Sequence, residues 1–126
     1  MLRKVLIVAF AAATAVATAQ PASAAPSAAS LILTYQHEGD PMRVGTLRCE
    51  PAGGLHRSPE TACAQLASVT GDFTALLVHP DRMCTMHVDP VRVTATGMWG
   101  GRRVSYDETF GNACMLFVET GAVFDI

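Results

Sequence analysis

The alternation of apolar and polar positions along the chain predicts short β-strands. Apolar side chains recur at every second position over 31–37, 44–50 and 91–96, which is typical of strands with one buried face. A further strand segment over 103–106 follows the pair Gly100-Gly101, and two glycines between such segments predict a hairpin turn.

Two other segments carry helix signals instead. Ser58-Pro59-Glu60 predicts a helix start, because a capping serine, a proline at the first helical position and an acid near the positive end each favour one. Gly71 interrupts the helical spacing downstream, so we expect either one long helix or two short ones. Asn112 is predicted to cap a second helix that stops at Gly121. The apolar residues at helical spacing in the first segment are Cys63, Leu66, Phe73 and Leu77.

The predicted order of elements is β-β-α-loop-β-β-α-β, with residues 122–126 as a terminal strand. Because strands far outnumber crossover helices, this order indicates one α+β domain: a five-stranded antiparallel sheet with two helices on one face. The first strand is apolar on both sides, with Leu31 and Leu33 on one face and Ile32 on the other. We therefore expect the second face to meet another copy of the chain in a homodimer.

The amino terminus has the features of an export signal. Arg3 and Lys4 precede an apolar run, and Ala22-Ser23-Ala24 is the small-x-small pattern that signal peptidase cleaves. The apolar run is too short and too rich in alanine to span a bilayer well. We expect a secreted, extracellular protein composed of a signal peptide over 1–24, a flexible mature amino terminus over 25–30 and a folded domain over 31–126.

The charge balance argues against nucleic acid and anionic membranes as partners. The formal net charge is −2, and removal of Arg3 and Lys4 with the signal peptide would change it to −4. All remaining basic residues are arginines, and they form no basic run.

An even number of cysteines in a small exported protein predicts two disulfides. Three pairings are possible from the count alone. No Cys-x-x-Cys and no paired Cys/His spacing is present, so we expect neither a zinc site nor another metal or cofactor. The four are Cys49, Cys63, Cys84 and Cys114.

No set of residues is arranged for catalysis, so we predict that the chain is not an enzyme. The four histidines share no metal-ligand spacing, and no serine lies in a Gly-x-Ser-x-Gly elbow. Two disulfides would leave no free thiol as a nucleophile. The adjacent pair Asp107-Glu108 is more typical of a solvated strand end than of a glycosidase dyad.

The segment 83–90 is the most informative stretch. It has no strong helix signal, begins one residue before Cys84 and ends at Pro90. From residue types alone, it is either an ordinary surface loop tethered by a disulfide or a loop that enters a protease cleft in the manner of substrate. The second role requires rigidity before binding, which a disulfide and a proline supply, and an apolar side chain such as Met86 for the specificity pocket.

Several separated motifs resemble the Streptomyces subtilisin inhibitor family, and the resemblance covers nearly all of the chain after the signal peptide. No single motif would be specific, but together they are. They are Leu31-Ile32-Leu33-Thr34, the spacing of Cys49 and Cys63, Met83-Cys84-x-Met86 with Asp89-Pro90, Gly97-Met98-Trp99, Gly101-Arg102-Arg103-Val104-Ser105-Tyr106, Phe110-x-Asn112-x-Cys114 and Val123-Phe124.

This resemblance implies a secreted, reversible, substrate-like inhibitor of subtilisin-type serine proteases. It implies a five-stranded antiparallel sheet with two helices on one face and dimerisation through the other. It also implies the disulfides Cys49–Cys63 and Cys84–Cys114. The reactive bond carries over to Met86–His87, and the residues that contact the protease beside it carry over to Met83, Cys84, Thr85, Val88 and Asp89.

The apolar, unbranched Met86 suits the broad hydrophobic pockets of subtilisin-like and chymotrypsin-like enzymes rather than the cation-binding pocket of trypsin. The chain departs from the family at Thr85, where proline is common, and at His87 and Val88. An alternative from another class is a secreted binding or substrate protein on the same scaffold. That protein would be a metalloprotease inhibitor, or a transglutaminase substrate through Gln36 or Gln65.

Overall fold

The computed structural model describes residues 7, 9–19 and 28–126. Half of the predicted signal peptide (residues 1–6, 8 and 20–24) and residues 25–27 of the predicted flexible segment lie outside these residues. Ala29 and Ser30, which were predicted to be flexible, instead lie in the first strand, and Ala29 is buried. Residues 9–19 are exposed and form no helix or strand. Within the described residues, no helix is long and apolar enough to cross a membrane.

The described residues form an antiparallel sheet and two α-helices. The sheet has the spatial order β2 (Arg43–Cys49), β1 (Ala29–His37), β3 (Val91–Trp99) and β4 (Arg102–Phe110), so the two central strands are β1 and β3. A short 3-10 turn over Phe73–Ala75 lies between the first helix and the third strand. The helices are α1 (Pro59–Ser68) and α2 (Ala113–Thr120).

One face of the sheet is buried under the helices and the other is open. In β1, Leu31 and Leu33 are buried in a core that also holds Leu66 of α1 and Leu116 of α2. The intervening Ile32 points to the opposite face and is 53% exposed. This period-two burial is what the sequence pattern predicted.

The prediction of a five-stranded sheet is wrong, because the described residues contain four strands. The segment 122–126, predicted as the fifth, instead forms successive turns, with Val123 N–H donating to Thr120 and Asp125 N–H donating to Ala122. Val123 and Phe124 are both buried. Two consecutive side chains cannot enter one core from a regular strand, whose side chains alternate, so a turn replaces the strand.

The helical segment after Ser58 is interrupted, as in the second of the two predicted alternatives. It consists of α1 and the short 3-10 turn over Phe73–Ala75. Thr70 and Gly71 both have positive φ, at 51° and 76°, and a side chain at Gly71 would collide with the indole of Trp99. The chain therefore turns sharply after α1. Leu77, predicted on the apolar helical face, is 56% exposed, and its neighbour Leu76 is buried instead.

Two disulfides join the layers of the domain. Cys49 at the end of β2 is bonded to Cys63 of α1, and Cys84 is bonded to Cys114 in the first turn of α2. This is the pairing that the family resemblance implies. The second disulfide fixes the segment before β3 to the start of α2, where the candidate site lies.

Candidate functional site

The segment from Arg82 to Pro90 is a surface loop without helix or strand that leads directly into β3. Its three apolar side chains are turned to water: Met83 is 91% exposed, Met86 is 90% exposed and Val88 is 84% exposed. All of the sequence-predicted reactive and contact residues, 83–89, lie on this largely exposed segment. The loop lies over the junction between β4 and α2.

Asn112 in that junction is the central support of the loop. Its Nδ2 donates to the backbone carbonyls of Thr85, at 3.1 Å, and His87, at 2.9 Å. Its Oδ1 accepts the N–H of Met115 at 2.9 Å and so caps α2. Asn112 is only 2% exposed, and both ends of its amide are used. One buried side chain therefore holds the loop on both sides of Met86.

These contacts orient the backbone of Met86. In an extended segment, carbonyls two residues apart point to one side of the chain and the carbonyl between them points to the other. The carbonyls of Thr85 and His87 both accept from Asn112, and no helix includes this segment, so an extended backbone would direct the carbonyl of Met86 away from Asn112. The side chains of Thr85 and His87 also share a side, because Thr85 Oγ1 hydrogen-bonds with His87 Nδ1 at 2.7 Å. The Met86 side chain and the Met86–His87 bond are thus presented to solvent.

The carboxyl-terminal base of the loop is tied down at Asp89. Its backbone N–H donates to the carbonyl of Gly111 at 2.8 Å. Its carboxylate lies 2.6 Å from Nε2 of His37, the last residue of β1, whose Nδ1 lies 2.8 Å from Asp40 Oδ2. The hydrogen bonds with Asp89, and after it Asp40, raise the pKa of His37 above its ordinary value.

The amino-terminal base of the loop is held against α2. Backbone N–H groups of Val78 and His79 donate to carbonyls near the end of that helix, at 3.1 and 2.9 Å. The ring of Phe117 stacks with the imidazole of His79 at a centroid distance of 4.6 Å, and Arg82 Cζ lies 4.8 Å from its centroid. With the disulfide at Cys84, these contacts fix the segment on which Met83 is exposed.

Three supports of the loop were not predicted from the sequence: Asn112 as a hydrogen-bond donor, Gly111 as an acceptor and His37 as a bridge. The cap by Asn112 was predicted correctly. Its second role had a readable signal, since Asn112 lies two residues before Cys114 and the disulfide draws that region to the loop. His37 had no such signal, because the pairing of β1 with β3 that brings it to Asp89 is a long-range property.

A serine, a histidine and an aspartate meet elsewhere in the fold but do not form a catalytic set. The Ser58 hydroxyl donates to Asp125 at 3.0 Å rather than to His56. His56 Nδ1 accepts the backbone N–H of Ser58, and its Nε2 donates to the carbonyl of Val123. With the 3.1 Å bond from Arg57 N–H to Asp125, these contacts anchor the carboxyl-terminal turns. Among the described residues, no group of three metal-binding side chains occurs either.

A surface loop held from beneath on a small disulfide-bonded α+β domain is typical of proteins that present a loop to a partner. The chain belongs to the subtilisin inhibitor-like family, whose model matches residues 25–112. Membership in this family of inhibitors confirms that the chain is not an enzyme.

Individual relatives and a solved structure agree with the family assignment. Subtilisin inhibitor-like protein 4 of Streptomyces lavendulae is 47% identical over 113 residues, covering 84% of this chain and 96% of that protein. A subtilase-type protease inhibitor of Streptomyces fradiae is 46% identical over 108 residues, covering 80% and 75%. The crystal structure of Streptomyces caespitosus sermetstatin in complex with Bacillus licheniformis subtilisin matches with a TM-score of 0.59 and 32% identity, covering 78% of this chain and 98% of that one.

Proposed function

We propose that this protein is a secreted, substrate-like inhibitor of subtilisin-type serine endopeptidases whose reactive bond is Met86–His87. The observation that carries the proposal is the pair of hydrogen bonds from Asn112 to the carbonyls of Thr85 and His87, which flank an outward-facing Met86. The names of the relatives and the subtilisin complex of sermetstatin support the same class of target.

The loop meets the physical requirements of reversible inhibition. Because the loop is ordered before binding, its association with a protease costs little conformational entropy. The outward carbonyl of Met86 is accessible to the catalytic serine. After attack, the disulfide at Cys84 and the bonds from Asn112 keep both ends of the bond in place, so the reverse reaction competes with release.

Met86 is the residue that would fill the primary specificity pocket. Its 90% exposure leaves nearly the whole side chain free to be buried by the enzyme. An unbranched apolar side chain suits subtilisin-like pockets and also chymotrypsin-like ones. Met83 would contact a more distal subsite, and Val88 and Asp89 would lie on the other side of the bond. Thr85 lacks the fixed φ of proline, but its hydroxyl restrains the loop through His87.

The test is an active-site titration of subtilisin with the purified protein. We expect a linear loss of peptidase activity that reaches zero at one inhibiting chain per enzyme molecule. A matched titration of trypsin should need a large excess, because its pocket selects a cation. Full subtilisin activity at a several-fold excess of the folded protein would contradict the proposed function.

We infer that two copies associate through the open face of the sheet. Ile32, Val44 and Met98 expose 53%, 59% and 43% of their surface there, and cross-strand pairing places all three on one side. Threonines surround them, and Thr34 hydrogen-bonds with Thr94 across the strands. The registers also place charged residues on this face, so the apolar patch has a charged rim of Arg48, Arg92, Arg103 and Asp107. An apolar centre with a polar rim is typical of interfaces, and two-fold symmetry would place the same patch on both copies. Sedimentation equilibrium should give twice the chain mass, and a monomer at high concentration would contradict the inference.

The organisation that we propose is a signal peptide over 1–24, a short mature amino terminus from residue 25 up to β1, and an inhibitor domain that begins with β1 at Ala29. Export is consistent with the two disulfides of the domain. The alternative of a transglutaminase substrate has little support, because both candidate amides are engaged. Gln36 donates to the carbonyls of His37 and Asp40, and Gln65 accepts the N–H of Ala122.

A further inference from the structure

His37 lies between two carboxylates that belong to different parts of the chain. Asp40 is in the turn between β1 and β2, and Asp89 is at the carboxyl-terminal base of the loop, two residues after His87. The side chain of His37 is 28% exposed, against 67% for Asp40 and 55% for Asp89. The imidazole is thus the least exposed member of a bridge from the sheet to the loop.

The geometry of this bridge requires a protonated ring. Carboxylate oxygens only accept hydrogen bonds, so each ring nitrogen within bonding distance of one must carry a hydrogen. A neutral imidazole has a single N–H and satisfies one carboxylate while its bare nitrogen faces the other. Both nitrogens of His37 lie within 2.8 Å of a carboxylate oxygen.

The other charged groups nearby are already directed elsewhere. Arg43 of β2 lines the same cleft, but its guanidinium lies 3.9 Å above the ring of Tyr35 and donates to the carbonyl of Ile126. Arg92 of β3 pairs with Asp107 at 2.8 Å. Glu38 follows His37 in the turn, His87 bonds to Thr85 within the loop, and α2 contributes the uncharged Ala113 to the cleft.

We propose that His37 is a positioning residue for the reactive loop, acting as a protonated bridge that holds Asp89 against the β1–β2 turn. The inference rests on the proposed function, since the loop matters only if a protease binds it. Asp89 is held by two bonds: its backbone N–H is fixed by Gly111 and its carboxylate by His37. Loss of the hydrogen bond between His37 and the Asp89 carboxylate loosens the part of the loop that follows His87. That part must stay in place after attack on Met86–His87.

The bridge gives inhibition a pH dependence of defined sign. The pKa of His37 is raised above its ordinary value of 6.5, so the bridge is complete below that value. As the pH rises through the raised pKa, the ring loses one of its two hydrogens and one carboxylate contact is lost. Loop retention should therefore weaken on the alkaline side and not on the acid side.

The test is the ratio of the subtilisin dissociation constants of His37→Gln and wild type at several pH values. Any pH dependence of the enzyme, or of groups that both proteins share, cancels in the ratio. We expect a ratio of about two- to fivefold at about pH 6, falling to about one at about pH 9. His37→Lys, a permanent cation, should match wild type at the lower pH and bind more tightly than wild type at the higher one.

A second readout needs no protease: the hydrogen-exchange rate of the Asp89 amide. His37→Gln should accelerate it by the same factor at about pH 6 and leave it unchanged at about pH 9. His56→Gln, which alters a histidine that contacts the carboxyl-terminal turns, is the matched control and should change neither readout.

The outcomes separate this inference from the proposed function. If the protein does not inhibit subtilisin but exchange at Asp89 follows the predicted pH pattern, the bridge stands and the function fails. A ratio of one at every pH in both readouts would overturn the bridge. A ratio above one that does not change with pH would overturn its protonation and leave His37 an ordinary packing residue.

Discussion

Two regions of this molecule expose apolar side chains, and their backbones are arranged in opposite ways. In the loop, Met83, Met86 and Val88 project from a segment that lies outside the β-sheet. The backbone of this segment is held from beneath by the side chain of Asn112. On the open sheet face, Ile32 and Val44 project from strands whose backbone groups are paired with their neighbours.

This difference determines what each region is able to bind. The outward backbone groups of the loop remain available to a partner, so an enzyme cleft that recognises extended peptides can pair with the main chain and bury a side chain together. The sheet face offers side chains alone, which suits a flat partner such as a second copy. The two surfaces should therefore respond independently to mutation.

The largest effect is expected on removal of the disulfide beneath the loop. Cys84→Ser with Cys114→Ser removes the cross-link that closes a chain segment of about 31 residues. The chain-entropy model assigns that closure roughly 3.5–4 kcal/mol of stability. The free energy of unfolding should fall accordingly. The cut ends at Met86–His87 should also separate, so the inhibitor becomes a substrate. Denaturant titration and the time course of subtilisin activity measure the two effects.

The other disulfide provides the matched control. Cys49→Ser with Cys63→Ser removes a closure worth roughly 3 kcal/mol but leaves the tether of the loop intact. This variant should be destabilised to a similar degree and still inhibit under conditions where it is folded. Equal conversion of both double variants into substrates would show that the loop depends on global stability alone.

The next effect is a change of target preference by Met86→Lys. A lysine at the residue that fills the primary pocket should raise the trypsin-to-subtilisin affinity ratio about a hundredfold, or by about 3 kcal/mol. Met83→Lys is the control, because Met83 is equally exposed, at 91% against 90%, but lies three residues away. A larger shift from Met83→Lys would move the primary role to that residue.

A smaller effect is expected on the sheet face. Ile32→Glu should weaken dimer association by about 2 kcal/mol, because each interface contains two copies of a half-buried isoleucine. Inhibition per chain should not change. Leu77→Glu has the matching exposure, 56% against 53%, away from this face and should leave the dimer intact. Sedimentation velocity distinguishes the two, and loss of inhibition in Ile32→Glu would refute the independence of the surfaces.

The smallest effect separates the two roles of Asn112. Asn112→Asp retains the oxygen that caps α2 but loses both donors to the loop, so inhibition should weaken by about 1–2 kcal/mol with the helix still capped. Asn112→Ala loses the cap as well and should also unfold about 1 kcal/mol more easily. Inhibition constants with thermal melts make the comparison. If Asn112→Asp inhibits as wild type does, the hydrogen bonds are not what makes the loop rigid.

Local signals were predicted from the sequence more reliably than long-range ones. The turn at Gly100-Gly101 and the cap at Asn112 depend on neighbouring residues, and both occur as predicted. Segment 122–126 could not be assigned correctly, because its apolar residues reach the core only through turns whose geometry depends on the rest of the fold. The bridge at His37 was likewise invisible, since it requires β1 and β3 to be adjacent.

The most direct test of the central claim is identification of the bond that subtilisin attacks. The protein is incubated with catalytic amounts of subtilisin until no further change occurs, then reduced and analysed by mass spectrometry. We predict one cleavage, between Met86 and His87, and the same ratio of intact to cleaved chain when the reaction starts from the cleaved form. Cleavage at another bond, or complete conversion into cleaved chain with recovery of subtilisin activity, would contradict it.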